Sequence, residues 1–140
     1  MAEPHPFRLS NDLSEVPALR DHFVRACTEA GLADDEMQGQ MLVFTELVNN
    51  AIEHGCTRPS DVVEGWYRIT DTEIEVEVTD PSEVLTEEDF NNSDCTNFAE
   101  EGRGAGLFLV RALTDEVNVS PGPNGGTTVR VKKHRTLGAA

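Results

Sequence analysis

Positively charged residues are scarce in this sequence, which narrows the partners that the chain can bind. There are 11 Lys and Arg against 26 Asp and Glu, giving a net charge of −15. Nucleic-acid-binding proteins need a basic surface that neutralises phosphates, so we expect no direct contact with DNA or RNA. An anionic membrane surface would repel the chain too. Either proteins with basic patches and locally held small ligands are its partners, or the acidic excess only maintains solubility.

Cysteines are also few, and long apolar runs are missing. The 3 cysteines, Cys27, Cys56 and Cys95, show no CxxC spacing, so neither a disulfide framework nor a zinc site is expected. No apolar run approaches the roughly 20 residues of a membrane span, and the first residues lack the pattern of a signal peptide. We therefore expect a cytoplasmic protein. The length of 140 residues favours one domain, residues 1–140.

The order of apolar patterns predicts an α/β sandwich, in which helices cover one face of a sheet. Helical spacing predicts helices over 16–31 and 34–54, with Asp34 capping the second helix and Gly55 ending it. Another helix begins near Gly104, with these apolar positions at helical spacing: Leu107, Val110, Leu113 and Val117. Strands are predicted near 7–9 and over 62–69, 74–79, 117–120 and 127–133.

Residues 81–101 are polar and acidic and have no periodic apolar pattern. A segment of this length without secondary structure is uncommon in a compact domain and usually serves as a functional loop. We therefore predict a lid over a binding site.

One candidate site segment is FTELVNNAIEHG, in which Glu46, Asn50 and His54 follow each other at four-residue steps. A helix presents such residues along one face. The amide oxygen of Asn50 could ligate Mg²⁺ together with phosphate oxygens, and the carboxylate of Glu46 could accept a proton from a hydroxyl. The spacing also fits an exposed polar helix face, and for His54 a packing or capping role is the better interpretation.

Asp80 ends the alternating strand Ile74–Val78 on the phase that faces the core. A carboxylate at such a position needs a partner. It could accept a hydrogen bond from the amino group of adenine, or it could cap a turn through Pro81 and Ser82.

The third candidate is EGRGAGLFLVRAL, where Gly102, Gly104 and Gly106 precede an apolar helix. Closely spaced glycines and a helix N-terminus allow backbone N–H groups to approach phosphate oxygens. The spacing is GxGxG rather than GxGxxG, and no GK[ST] follows, so neither a Rossmann fold nor a Walker loop is indicated. A flexible hinge before a helix is the simpler alternative.

Together, ELVNNAIEHG, VTD and GRGAGLFLVRALTDEV resemble the motifs of GHKL-type ATPases, and within them the anti-sigma-factor serine kinases typified by RsbW and SpoIIAB. This resemblance implies a mostly antiparallel mixed sheet, the Bergerat fold, and the cofactors ATP and Mg²⁺. It also implies Glu46 as the general base, Asn50 as the Mg²⁺ ligand and Asp80 as the adenine contact. The other implied nucleotide-binding residues are Arg103, Gly104, Ala105, Gly106, Leu107 and Thr127.

The resemblance further implies a kinase that phosphorylates a serine of an antagonist protein, sequesters a sigma factor and forms a homodimer. One departure is Ser82, which stands where the family usually has glycine. If Ser82 must adopt a glycine-like backbone conformation, nucleotide binding would be weakened by about 1–3 kcal/mol of strain. The alternatives are a non-catalytic, nucleotide-gated partner-binding module of the same fold and an ATP-hydrolysing module without a protein acceptor.

Overall fold

Five strands form one sheet in the order β1-β2-β3-β5-β4, and each neighbouring pair is antiparallel. The structure is a computed structural model, and it describes residues 3–82 and 104–136. The strands are β1 (His5–Ser10), β2 (Val62–Ile69), β3 (Glu73–Asp80), β4 (Glu116–Pro121) and β5 (Thr127–His134).

Helices cover one face of this sheet. A 3-10 turn (Leu13–Glu15), capped by the Asp12 side chain, leads into α1 (Val16–Glu29), which is followed by α2 (Asp34–Gly55). After the undescribed segment, α3 (Gly104–Ala112) precedes β4. The central helix α2 packs against α1, α3 and strand β3. The predicted two-layer α/β sandwich is therefore confirmed.

Three details of the helix ends differ from the prediction. The N-cap of α2 is Ala33, which makes no side-chain cap, and Asp34 is the first helical residue. Gly55 lies inside the helix rather than beyond it, because Cys56 is the C-cap and has an extended backbone. Leu113 and Val117 both lie beyond α3, because the helix ends at Ala112, and Val117 belongs to β4.

The core lies between the sheet and the helices and is centred on stacked aromatic rings. Phe23 of α1 and Phe44 of α2 are fully buried, with ring centroids 4.4 Å apart and an interplanar angle of 5°. Tyr67 of β2 contacts both rings edge-on, and Phe7 of β1 meets Phe44 edge-on at 5.7 Å. These contacts join both helices to the first two strands.

The opposite face of the sheet carries paired charges. Arg68 forms an ion pair with Glu75 at 2.5 Å, and Arg130 forms one with Glu77 at 3.2 Å. Trp66 lies against both guanidinium groups, with centroid distances of 5.4 and 5.0 Å. This network explains why Glu75 is only 4% exposed although it points away from the helices.

The predicted lid, 81–101, lies almost entirely outside the described residues. Of the residues that are described, none belongs to a helix with the length and apolar character needed to cross a membrane.

Replacing the central ring of the core should destabilise the fold strongly. We expect Phe44→Ala to lower the free energy of unfolding by about 3–5 kcal/mol, because it removes buried apolar surface and leaves a cavity. Urea denaturation measures this change. Phe108→Ala is the matched control, since Phe108 is 44% exposed, and it should cost about 1 kcal/mol or less. Equal losses in the two variants would contradict the assigned core.

Candidate nucleotide-binding site

Helices α2 and α3 meet at Glu46 and Gly106. A Cβ atom placed on Gly106 would lie 2.3 Å from Glu46 Oε2, a distance that no real side chain tolerates. The carboxylate of Glu46 therefore lies directly over the Cα atom of Gly106. A side chain at position 106 would force the end of the Glu46 side chain to move away from the first turn of α3.

Burial raises the pKa of the Glu46 carboxyl above its usual value, and the charge of Glu53 on the same helix adds to the shift. A carboxylate with a raised pKa accepts protons more readily near neutral pH. Perturbed pKa values of this origin are common at functional sites. The contact with Gly106 and the raised pKa are compatible with the base predicted from the sequence.

Asn50 lies one helical turn beyond Glu46, and its amide nitrogen Nδ2 is buried with no hydrogen-bond partner within the described part of the chain. A buried amide is normally hydrogen-bonded, so a polar ligand at this point would satisfy it. The described residues contain no cluster of three or more His, Cys, Asp or Glu side chains that could hold a metal. Mg²⁺ bound by one amide oxygen together with phosphate oxygens needs no such cluster. The unpartnered Nδ2 is a donor, so the group that would satisfy it is an acceptor such as a phosphate oxygen.

Asp80 faces the helices, as the strand phase predicts, and its carboxylate lies against Gly55 at the end of α2. Its Oδ1 accepts a hydrogen bond of 2.8 Å from the backbone N–H of Ser82. Asp80 therefore caps a turn with Oδ1, and this role is compatible with a second contact through Oδ2, so the two roles considered from the sequence do not exclude each other.

Burial raises the pKa of Asp80 to about 6, although the hydrogen bond from Ser82 opposes the shift. Burial also raises the pKa of the neighbouring Cys56 thiol to about 11, with contributions from Asp61 and Asp80. Asp61 is buried too, and it accepts hydrogen bonds from the backbone N–H groups of Thr57 and Arg58. These bonds hold the loop that follows Cys56.

Thr127 pairs with Asp80 across strands β5 and β3, as the register shows. It is 3% exposed, and its hydroxyl donates a hydrogen bond to the backbone carbonyl of Ser82. Its neighbour Gly126 has no room for a side chain, since a Cβ atom would lie 2.0 Å from the Asp80 carbonyl oxygen. The end of β5 thus holds the segment from Asp80 to Ser82 in place.

The strain expected at Ser82 is absent. Among the described residues, positive φ angles occur only at Gly31 and Gly125. Ser82 therefore adopts a conformation open to any residue, and its replacement of the usual glycine imposes no backbone penalty. The condition under which strain at Ser82 would weaken binding is therefore not met, and the turn is held by hydrogen bonds to Asp80 and Thr127.

The remaining candidates are the residues at the start of α3, Arg103 and His54. Gly104 and Ala105 open helix α3, and Leu107 follows with its side chain fully buried, so Leu107 could meet a ligand only through its backbone. Arg103 lies outside the described residues. His54 is half-buried, with Nε2 3.9 Å from Glu53 Oε2.

The structure adds Gly55 and Gly126 to the candidate site, and sequence reasoning assigned Gly55 only to a helix end. The signal for Gly55 was its place directly after ELVNNAIEH, next to the candidate polar residues. Its contact with Asp80 could not be read from the sequence, because the two residues are 25 positions apart and belong to different elements.

Residues 9–133 match the family model of the histidine kinase-like ATPase domain. The chain belongs to this family. The match spans all five strands except the first residues of β1 and the last of β5, and it contains every predicted site residue. The resemblance to GHKL-type ATPases drawn from the motifs is thereby confirmed.

Relatives of this ATPase domain include serine-protein kinases. RsbW of Staphylococcus epidermidis, a serine-protein kinase, is 28% identical over 136 residues, covering 91% of this chain and 84% of that protein. The serine-protein kinase RsbW of Staphylococcus aureus is 26% identical over 116 residues, which cover 76% of this chain and 71% of that protein.

The fold of the ATPase domain also matches a solved structure. The crystal structure of the RsbU and RsbW domains of Rv1364c from Mycobacterium tuberculosis aligns with a TM-score of 0.64 and 20% identity. It covers 96% of this chain, while this chain spans only 33% of that longer one. The likeness supports the fold.

The raised pKa of Asp80 predicts a pH-dependent stability. A carboxyl whose pKa is higher in the folded state, here about 6 against 3.8, binds its proton more tightly when folded. Its ionisation therefore destabilises the fold fully above about pH 6, and this cost is relieved as the pH falls toward 3.8. Asp80→Asn removes the charge and keeps the acceptor for Ser82. We expect Asp80→Asn to be more stable than the wild type at pH 7 to 8.

Denaturation curves of both proteins between pH 4 and pH 8 measure this difference. The difference in the free energy of unfolding should shrink as the pH falls through about 6, because the wild-type Asp80 carboxyl then becomes neutral. A difference in stability that stays constant with pH would mean that Asp80 is not desolvated.

Proposed function

We propose that residues 1–140 form one ATP-binding domain that phosphorylates a serine of an antagonist protein and sequesters a sigma factor. The observation that carries the proposal is the half-buried Glu46 carboxylate, with its raised pKa, held over Gly106 at the start of α3. A base beside phosphates suits the deprotonation of an attacking hydroxyl, either that of a protein acceptor or that of water. The names of the relatives, serine-protein kinases, support the same reaction.

In this reaction the serine oxygen of the acceptor attacks the terminal phosphorus of ATP, and the bond from that phosphorus to ADP breaks. Glu46 accepts the serine proton at a carboxylate oxygen. The transfer depends mainly on positioning and charge neutralisation, which suits a short site of this kind. The raised pKa of Glu46 makes it a stronger proton acceptor than an exposed carboxylate.

The adenine end of the site is proposed to lie at Asp80. Its Oδ2 would accept a hydrogen bond from the 6-amino group, while Ser82 holds Oδ1. Thr127 supports this arrangement through its bond to the Ser82 carbonyl. Glu46 and Gly55 are nine residues apart on α2, which is about 13 Å along a helix axis. This separation suits a nucleotide extended between the two ends.

The phosphate end is proposed to use the backbone N–H groups at the start of α3, residues 104–107, because a helix N-terminus favours anions. Mg²⁺ held by Asn50 would neutralise part of the phosphate charge. Arg103 and the lid over residues 81–101 remain part of this proposal from the sequence.

The partners are also proposed. The net charge of −15 suits association with a basic protein, and a sigma factor, as a promoter-binding protein, needs a basic surface. We also propose that the protein is cytoplasmic and forms a homodimer.

Two substitutions on α2 test the kinase. Glu46→Gln keeps the size and polarity of the side chain, so the fold and the binding of ATP should persist, while phosphate transfer falls by about 10²–10⁴. Asn50→Ala should weaken Mg²⁺-dependent nucleotide binding as well as transfer. Transfer is measured with radiolabelled ATP and candidate antagonist proteins, and binding by calorimetry with and without Mg²⁺.

Phosphate-transfer and sigma-factor-binding assays of the wild-type protein distinguish this proposal from its alternatives. Sequestration of a sigma factor without transfer to any candidate antagonist would favour the non-catalytic binding module. Release of inorganic phosphate with no labelled protein would favour an ATP-hydrolysing module. Equal transfer by wild type and Glu46→Gln would remove Glu46 as the base.

A further inference from the structure

Gly55 leaves no space between helix α2 and the Asp80 carboxylate. A Cβ atom on Gly55 would lie 2.3 Å from Asp80 Cγ and 2.6 Å from each of its two carboxylate oxygens. These are the three nearest atoms, so the tightest contact is with the carboxylate group. The absence of a side chain at Gly55 is therefore what admits the carboxylate to its position.

The usual reasons for a glycine at a helix end do not apply to Gly55. Its φ angle is not positive, since within the described residues only Gly31 and Gly125 have such angles. Gly55 is also inside α2, and the chain continues through Cys56 in an extended conformation. Space for Asp80 is the requirement that remains.

A methyl group at this position would displace the carboxylate first. Strand β3 cannot withdraw, because it pairs with β2 on one side and with β5 on the other. The Asp80 carbonyl is also packed against Gly126, where a Cβ atom would lie only 2.0 Å away. The carboxylate would have to rotate, and it would leave the position in which Oδ1 accepts from Ser82.

We propose that Gly55 is a positioning residue that sets nucleobase specificity, by leaving room for the Asp80 carboxylate to recognise the 6-amino group of adenine. This inference rests on the adenine contact proposed above for Asp80. Gly55 itself contributes no polar group to the recognition. Its effect on the base is exerted entirely through the orientation of Asp80.

The test compares ADP with purine riboside 5′-diphosphate, which lacks only the 6-amino group. For the wild type, we expect ADP to bind about tenfold or more tightly, the effect of one hydrogen bond to a charged acceptor. For Gly55→Ala, this preference should fall to about twofold or less, through weaker binding of ADP. Calorimetry with each ligand gives both dissociation constants.

Gly39→Ala is the matched control on the same helix. A Cβ atom on Gly39 meets only the Leu113 side chain, at an ordinary distance of 3.9 Å. This variant should keep the wild-type preference for ADP, and the removal of a helical glycine should leave it as stable as the wild type or slightly more so. A purely structural effect of adding a methyl group to α2 would appear in both variants.

A second measurement keeps the proposal testable if Gly55→Ala is poorly folded. Asp80→Ala removes the carboxylate with which the new methyl group collides. Adding Gly55→Ala to Asp80→Ala should therefore change the melting temperature much less than adding it to the wild type. Equal decreases in the two backgrounds would show that the methyl group collides with something other than the carboxylate, and would overturn the inference.

The outcomes separate this inference from the function on which it rests. If the wild type binds both ligands equally well, the adenine contact of Asp80 fails. If the wild type prefers ADP and Gly55→Ala keeps that preference in full, the adenine contact stands and the role of Gly55 is wrong.

Discussion

Helix α2 and strand β3 meet at Gly55 and Asp80 with no side chain between them. This contact depends on the rest of the architecture. The stacked rings of Phe23 and Phe44 set the position of α2 over the sheet. Pairing with β5 sets the end of β3, where Thr127 lies opposite Asp80. A carboxylate is thereby held, partly buried, at the edge of the helix layer.

Burial shifts the pKa of both candidate site carboxyls in the same direction. The pKa values of Glu46 and Asp80 are raised, in each case mainly by desolvation. Ionising them at neutral pH therefore opposes folding, and surrounding contacts must offset that cost. Each carboxylate lies directly against a glycine from another element, Gly106 or Gly55, so the close packing that causes the shift also orients the group.

An acidic chain with this fold can still bind an anionic nucleotide. The net charge of −15 describes the whole chain, whereas binding depends on the local field. Backbone N–H groups at the start of α3 supply positive potential that does not appear in a count of Lys and Arg. Two of the described cations, Arg68 and Arg130, form ion pairs with Glu75 and Glu77 on the opposite face of the sheet.

Much of the fold was accessible from local pattern. Alternation along Ile74, Val76 and Val78 identified β3 and the side on which Asp80 lies, because side chains in a strand alternate between faces. Helical spacing likewise identified α1, α2 and the start of α3. It failed at Asp34 and Val117, since helix ends depend on a few backbone hydrogen bonds that periodicity does not report.

The sequence by itself determined the order of the elements, the face on which each polar candidate lies and the family of the chain. Only the tertiary structure decided that Gly55 contacts Asp80, that Gly106 contacts Glu46, and that the Ser82 turn is unstrained. The physical reason is the range of the interactions. Periodicity reflects neighbours within one helix turn or strand, whereas these contacts join distant segments, and their distances are set by how closely the two layers pack.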